Sequence, residues 1–283
     1  MRWRKMEELT TLERFYMHTM IVTDLDGTLL DAEHKVDPFT AETIQTLAAN
    51  GINITIATGR HFLDVKGIRS VLGVAAHLIT SNGARVHAPD DQEIYAENIA
   101  PDLARTLMQP AISAGSLLNA YVDEGWLVEK ETPELVGVYY KDSGFSYQVC
   151  DLKNHSGEGI AKILYIGEHE ALSQIEANIL AQYRGQVYIT FSAHDCLEVM
   201  APSVSKGHAL QAVLARLDSD KAHCIAFGDG QNDIEMLGVA GTAFVMANAS
   251  EKLKAAHPNL PVIGSNDKHG VATQLRSMFK ELF

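Results

Sequence analysis

The fold turns on residues Met20–Leu30, MIVTDLDGTLL. An apolar run, Met20-Ile21-Val22, leads through Thr23 to Asp24 and Asp26, and Gly27 and Thr28 follow at once. The run reads as a short buried strand that stops at two carboxylates. Side chains two apart on a strand point the same way, so Asp24 and Asp26 are expected to share one face, with Leu25 on the other. Like charges crowded at the mouth of a core repel. Two unit charges about 4 Å apart at an effective dielectric near 20 interact by ~4 kcal/mol. A capped turn would explain Asp and Gly here without any site, so the rest of the chain must decide.

Working outward, strand and helix alternate up to Asn82. DPFTAETIQTLAANG places Asp37 as N-cap, Pro38 at the first helical position and Gly51 just past the end. INITIATG reads as a buried strand, HFLDVKGIRSVLG as a helix and AHLITSNG as a third strand. Strands without alternation, separated by helices, predict a parallel sheet covered on both faces. From Arg85 the rhythm changes. A hairpin (ARVHA, EIYAENI), a helix PDLARTLMQPAISAG and further hairpin-like strands predict an α+β module. The βα rhythm returns with LEVM at Leu197. The expected architecture is therefore an α/β, Rossmann-like core over residues 18–84 and 197–283, with an inserted module over 85–196. Residues 1–17 are expected to be a loosely attached extension, with Met17 or Met20 a candidate initiator that N-terminal sequencing of native protein would decide.

The totals narrow the function classes. A formal net charge of -13 over 283 residues gives no electrostatic footprint for nucleic acid or an anionic membrane surface. Cys150, Cys196 and Cys224 form no CxxC pair, which suits a reducing compartment. No apolar run approaches the roughly 20 residues of a membrane helix, and the amino-terminal stretch lacks a signal-peptide core. A cytoplasmic protein is expected; a monomer is compatible with the sequence, which leaves the oligomeric state open.

Ligands of an open parallel sheet sit at the carboxyl ends of its strands, and three clusters fall there. They are Asp24 with Asp26, then TGR (Thr58–Arg60), then GDGQND with Asp229, Asn232 and Asp233. Singly, each could be helix capping. Lys206 breaks a local rule, since it opens a helix whose macrodipole disfavours a cation; a solvated lysine would tolerate that, whereas an anion held there would explain it. Strand-end aspartates converging on one place call for a hard divalent cation with oxygen ligands, and Mg²⁺ fits best. Magnesium, a lysine, a threonine hydroxyl and helix N-termini together are equipment for holding a phosphoryl group.

DLDGT, TGR, the isolated Lys206 and GDGQND match, in order, the four motifs of the haloacid dehalogenase superfamily, which the chain thus resembles over roughly residues 18–283. SNGARVH and LEVMAPSVSKGHAL are similar to Cof-type phosphatases with an α/β cap, the nearest likeness being to bacterial pyridoxal-phosphate and sugar-phosphate phosphatases. The resemblance implies that Asp24 is the nucleophile and Asp26 the general acid and base. It implies Mg²⁺ held by Asp24, the Asp26 carbonyl and Asp229. The Leu25 backbone, Thr58, Gly59, Lys206 and Asn232 would hold the phosphoryl oxygens, and Asp233 would orient Lys206 or a metal-bound water. Asn82 and Arg60 are further candidates, and His61, beside the second motif, is the histidine to watch.

The expected reaction is Mg²⁺-dependent hydrolysis of a small phosphorylated metabolite, pyridoxal phosphate or a sugar phosphate, through an aspartyl-phosphate. A sugar phosphotransferase or mutase on the same scaffold and a non-catalytic phosphometabolite-binding regulator are the rivals. Tyr121, Asp123, Trp126, Tyr139, Lys162 and His194 are candidate substrate readers in the inserted module.

Overall fold

The computed structural model describes residues 18–113, 115–133 and 144–283. The amino-terminal extension and Tyr139 lie outside them. Among the described residues fourteen strands form two sheets. The strands are β1 Met20–Thr23, β2 Asn53–Ala57, β3 Ala76–Thr80, β4 Arg85–His87, β5 Glu93–Ala96, β6 Leu117–Val122 and β7 Gly125–Val128, then β8 Tyr147–Val149, β9 Lys162–Ile166, β10 Tyr188–Ala193, β11 Cys196–Met200, β12 Cys224–Gly228, β13 Thr242–Met246 and β14 Val262–Ile263.

The larger sheet has the order β14-β13-β12-β1-β2-β3-β4-β5. From β14 to β3 it is parallel, and β1 lies at its centre between β12 and β2. Met20, Ile21 and Val22 are wholly buried, as an all-apolar strand covered on both faces requires. Helices Pro38–Ala49, Phe62–Leu72 and Lys206–Arg216 supply the cover. The first is fixed at its start by Asp37, whose carboxylate accepts from the Phe39 and Thr40 amides, a cap worth about 1 kcal/mol.

The smaller sheet runs β10-β11-β9-β6-β7-β8 and is antiparallel except between β7 and β8. Its own apolar cluster lies against helix His169–Tyr183, through Leu172, Ile175 and Ile179. The helix read across Pro110 is broken there, into Pro101–Leu107 and Pro110–Ser113, because proline offers no amide hydrogen to continue it.

Two boundaries of the expected division are corrected by the strand pairing. The hairpin at Arg85 belongs to the larger sheet, since β4 pairs antiparallel with β3. Asn82 and Gly83 take positive φ (58° and 103°) and turn the chain straight back along β3. At the other end β11, the strand LEVM, pairs with β9 and β10 in the smaller sheet. Its Leu197 and Val199 enter that sheet's core. The crossovers between sheets therefore fall at residues 97–100 and 201–205. Among the described residues, no helix is long and apolar enough to cross a membrane.

His61 joins the two layers. Its Nδ1 accepts from the Leu63 amide (3.1 Å), its Nε2 donates to the Val122 carbonyl of β6 (2.7 Å), and its ring stacks on Phe145. Only a neutral imidazole fills both roles, and burial pulls its pKa down to about 4. The unfolded chain, with a histidine pKa near 6.5, takes up the proton first as pH falls. The contribution is thus complete above about pH 6.5 and is lost toward pH 4, at most about 3 kcal/mol. His61→Asn, which retains a capping acceptor, should flatten the fall in melting temperature between pH 7 and pH 5 relative to wild type.

Candidate active site

β1 ends at Thr23, and the backbone leaves it in a wide turn, Leu25–Leu29, interrupted at Asp26 and Gly27. Asp24 and Asp26 therefore do not share a strand face as the alternation implied. The strand has stopped before either carboxylate, so strand periodicity no longer governs them. Gly27 sits at φ 75°, where a Cβ would also run into the Asp229 carboxylate. Thr28 Oγ1 donates to Asp229 Oδ1 at 2.7 Å, stitching the turn to the end of β12.

Asp24 points at Lys206. The ammonium bonds Asp24 Oδ1 at 2.5 Å and Asp233 Oδ1 at 2.7 Å, and Lys206 and Asp233 are fully buried. The lysine is not a solvated residue tolerated at a helix start; two carboxylates are the anions that hold it there. Burial pulls the ammonium pKa down, but Asp233 and Asp24 outweigh that and raise it above its ordinary value. Asp233 spends its second oxygen on the amides of Asp229 and Gly230, both at 2.9 Å. It thereby fixes the loop after β12 to the lysine.

Asp26 has other company. Arg60 Nε and Nη2 grip its two oxygens at 2.8 and 2.6 Å, and His34 Nδ1 lies 3.0 Å from Oδ1. Burial would raise its pKa, yet hydrogen bonds from His34 and Arg60 and the Arg60 charge hold it well below the usual carboxylate range. Arg60 is itself anchored by the fully buried Asp64, one helical turn on.

Asp24, Asp26, Thr58, Gly59, Arg60, Asp229 and Asn232 all line one cavity of about 330 Å³. Lys206, Asp233, Leu25 and Asn82 lie behind that lining. Asn82 accepts from Asn232 Nδ2 at 3.0 Å, and Thr58 Oγ1 accepts from the Arg60 amide at 3.1 Å. Of the candidate readers in the smaller sheet, Tyr121, Trp126 and Lys162 reach the cavity. Asp123 instead pairs with Arg85, and His194 stacks on His169. Sequence reasoning missed His34, Asp64 and Glu198. Asp64 had a signal in its four-residue spacing from Arg60, and Glu198 in being the charge within an apolar strand. His34 had none.

The acidic cluster meets the needs of a divalent cation. Oxygens of Asp24, Asp229 and Asp233 lie within 4.8 Å of one another. Burial, then the Asp233 charge, pushes Asp229 up to about 7, and burial likewise raises Asp24 well above its ordinary value. A hard cation relieves that strain. Since both Asp233 oxygens are already engaged, Asp24 and Asp229 are the side chains left to bind it.

A buried aspartate paired with lysine thus sits beside a second aspartate at the carboxyl edge of the parallel sheet. The chain belongs to the family of haloacid dehalogenase-like hydrolases, whose profile matches residues 21–275. A Cronobacter sakazakii protein described as an HMP-PP phosphatase is 38% identical over 252 residues, 89% of this chain and 92% of its own length. The crystal structure of a Thermotoga maritima protein gives a TM-score of 0.77 at 28% identity, over 92% of this chain and 97% of the other. A haloacid dehalogenase-like hydrolase from Bacteroides thetaiotaomicron shares the fold, with TM-score 0.80 at 22% identity over 93% of this chain and 100% of its own.

Lys206→Met should strand Asp24 and Asp233 without their counter-charge. The expected loss is about 3–5 kcal/mol of unfolding free energy, read by urea denaturation. Adding Asp233→Asn should recover part of it.

Proposed function

We propose that this hydrolase is Mg²⁺-dependent and cleaves small phosphorylated metabolites through an aspartyl-phosphate on Asp24. The observation that carries this reading is the placement of Asp24, facing the cavity with one oxygen on Lys206 and Asp229 beside it. The lysine holds the carboxylate in one orientation, leaving its other oxygen for attack in line on phosphorus. An Asp24 oxygen–phosphorus bond forms as the ester phosphorus–oxygen bond breaks. Water then attacks the phosphorus of the aspartyl-phosphate and regenerates the carboxylate. Thr58, Gly59, Asn232 and the Leu25 amide surround the place where the phosphoryl oxygens would lie.

Mg²⁺, held by the Asp24 and Asp229 carboxylates and the Asp26 carbonyl, would neutralise charge on the phosphoryl oxygens. Asp26 serves the two proton steps unequally. A carboxylate gripped by a guanidinium stays unprotonated and so can face the attacking water as its base, although the grip weakens its hold on a proton. Protonating the leaving oxygen requires Asp26 to give up the Arg60 contact first.

The cavity wall supports a small organic leaving group. Trp126, Tyr121, Leu164 and Ile166 offer an apolar surface, while Ser192 and Asp195 offer acceptors. A volume of about 330 Å³ is at the small end for metabolite sites. HMP-PP, named for the Cronobacter sakazakii relative, is the first substrate to assay, followed by pyridoxal phosphate and hexose phosphates.

The test is phosphate release from that panel with MgCl₂ and with EDTA. Turnover should require the metal, and Asp24→Asn should lower it by several orders of magnitude while the melting temperature stays near wild type. Wild-type rates in Asp24→Asn would sink the reading.

A further inference from the structure

Among the described residues two lysines are buried, Lys206 in the site and Lys162 on β9, which is 1% exposed. Lys162 bonds Glu198 Oε1 of β11 at 2.6 Å, and Glu198 is 3% exposed. This pair lies on the smaller sheet, but its remaining bonds cross to the larger one. Lys162 Nζ donates to the Gly59 carbonyl at 2.6 Å. Glu198 Oε2 accepts from Asn82 Nδ2, and Asn82 Oδ1 accepts from Asn232 Nδ2 at 3.0 Å. An unbroken chain thus runs Gly59–Lys162–Glu198–Asn82–Asn232. Its two ends are residues on opposite flanks of the phosphoryl position, one after β2 and one after β12.

Lys162 lines the cavity, which makes it look like a substrate reader. Its donors say otherwise. Two go to Gly59 and Glu198, and the ammonium lies 4.6 Å from the centroid of the Tyr121 ring. A lysine so committed holds protein groups in place. Asn82 needs holding, because it is buried at φ 58°, a conformation that its backbone alone does not favour. A buried ion pair is a poor device for stability alone, since well-packed apolar residues often do as well. Its use here is directional, through bonds that an apolar pair could not make.

We infer that Lys162 and Glu198 are positioning residues: docking of the smaller sheet brings them down on Gly59 and Asn82 and so sets Asn232 for the phosphoryl group. The kinetic part of the test rests on the function proposed above, so it is paired with a measurement that does not.

Lys162→Met and Glu198→Leu are made singly and together, in the full chain. Each single variant buries one unpaired charge and should lower the melting temperature by about 10 °C. The double variant should recover most of that. If the pair positions the site, kcat in the double variant stays down by on the order of 10²-fold, with KM changed much less. Asn82→Ala, costly in wild type, should then add little in the double-variant background. A double variant that regains stability and also wild-type kcat would overturn the inference, as would an undiminished effect of Asn82→Ala. Amide hydrogen exchange reads the same point without catalysis. The Ser81 and Asn82 amides bond the Arg60 and Thr58 carbonyls at 2.9 and 3.0 Å, and their exchange should quicken at least about tenfold in the refolded double variant. Unchanged exchange there overturns the inference, even if wild type hydrolyses no ester in the panel. Absent wild-type turnover counts against the proposed function alone.

Discussion

The bond between Lys206 and Asp24 is the constraint on which the rest depends. Neither group can be buried alone, because a lone charge in a low-dielectric interior costs several kcal/mol. Lys206 comes from the start of a helix, Asp24 from the end of β1, and Asp233 from the loop after β12. These three can meet only if β1 lies beside β12 and the helix packs under both. The sheet order is therefore also the order that assembles this cluster. With one lysine set against Asp24 and Asp233, and with Asp229 adjacent, the cluster keeps an excess of negative charge. That excess gives the cluster the charge that a divalent cation would balance.

Much of this was legible in the chain. The apolar run before Asp24, the Asp37–Pro38 helix start and the return of βα rhythm near the carboxyl half each have a local physical signature, and local signatures survive folding. The motif residues could be placed at strand ends because strands end where polar residues begin. What was not legible depended on pairing across the chain. Nothing in ARVHA says which sheet it joins; the positive-φ pair Asn82 and Gly83 decides it by reversing the backbone. LEVM reads equally well as a strand of either sheet until the inward faces of Leu197 and Val199 are known. Asp26 was misread because strand periodicity was carried past Thr23, where the strand ends. Arg60 stood as a further candidate, and its grip on Asp26 required knowing that the turn and the second motif face each other.

Asp24 and Asp26 end up in different electrostatic settings for a structural reason. Both begin as aspartates beside a buried strand. One is enclosed and paired with a lysine that also serves Asp233. The other keeps 37% of its side chain exposed and is held by an arginine and a histidine. Identical side chains two positions apart are thereby given unlike partners, and their pKa values are pushed in opposite directions.

The two crossovers between the sheets have a consequence of their own. Ala84, at the turn into β4, accepts from the Glu97 amide on one crossover and packs with Ala201 and Val204 on the other. The intervening hundred or so residues thus leave and re-enter the larger sheet at nearly the same point. Closing a longer loop between fixed ends costs only about 0.6 kcal/mol for each doubling of length. The sheet that carries Asp24 is therefore almost indifferent to how much chain is spliced in there. Length can change freely between those anchors, whereas the few side chains that reach back across cannot.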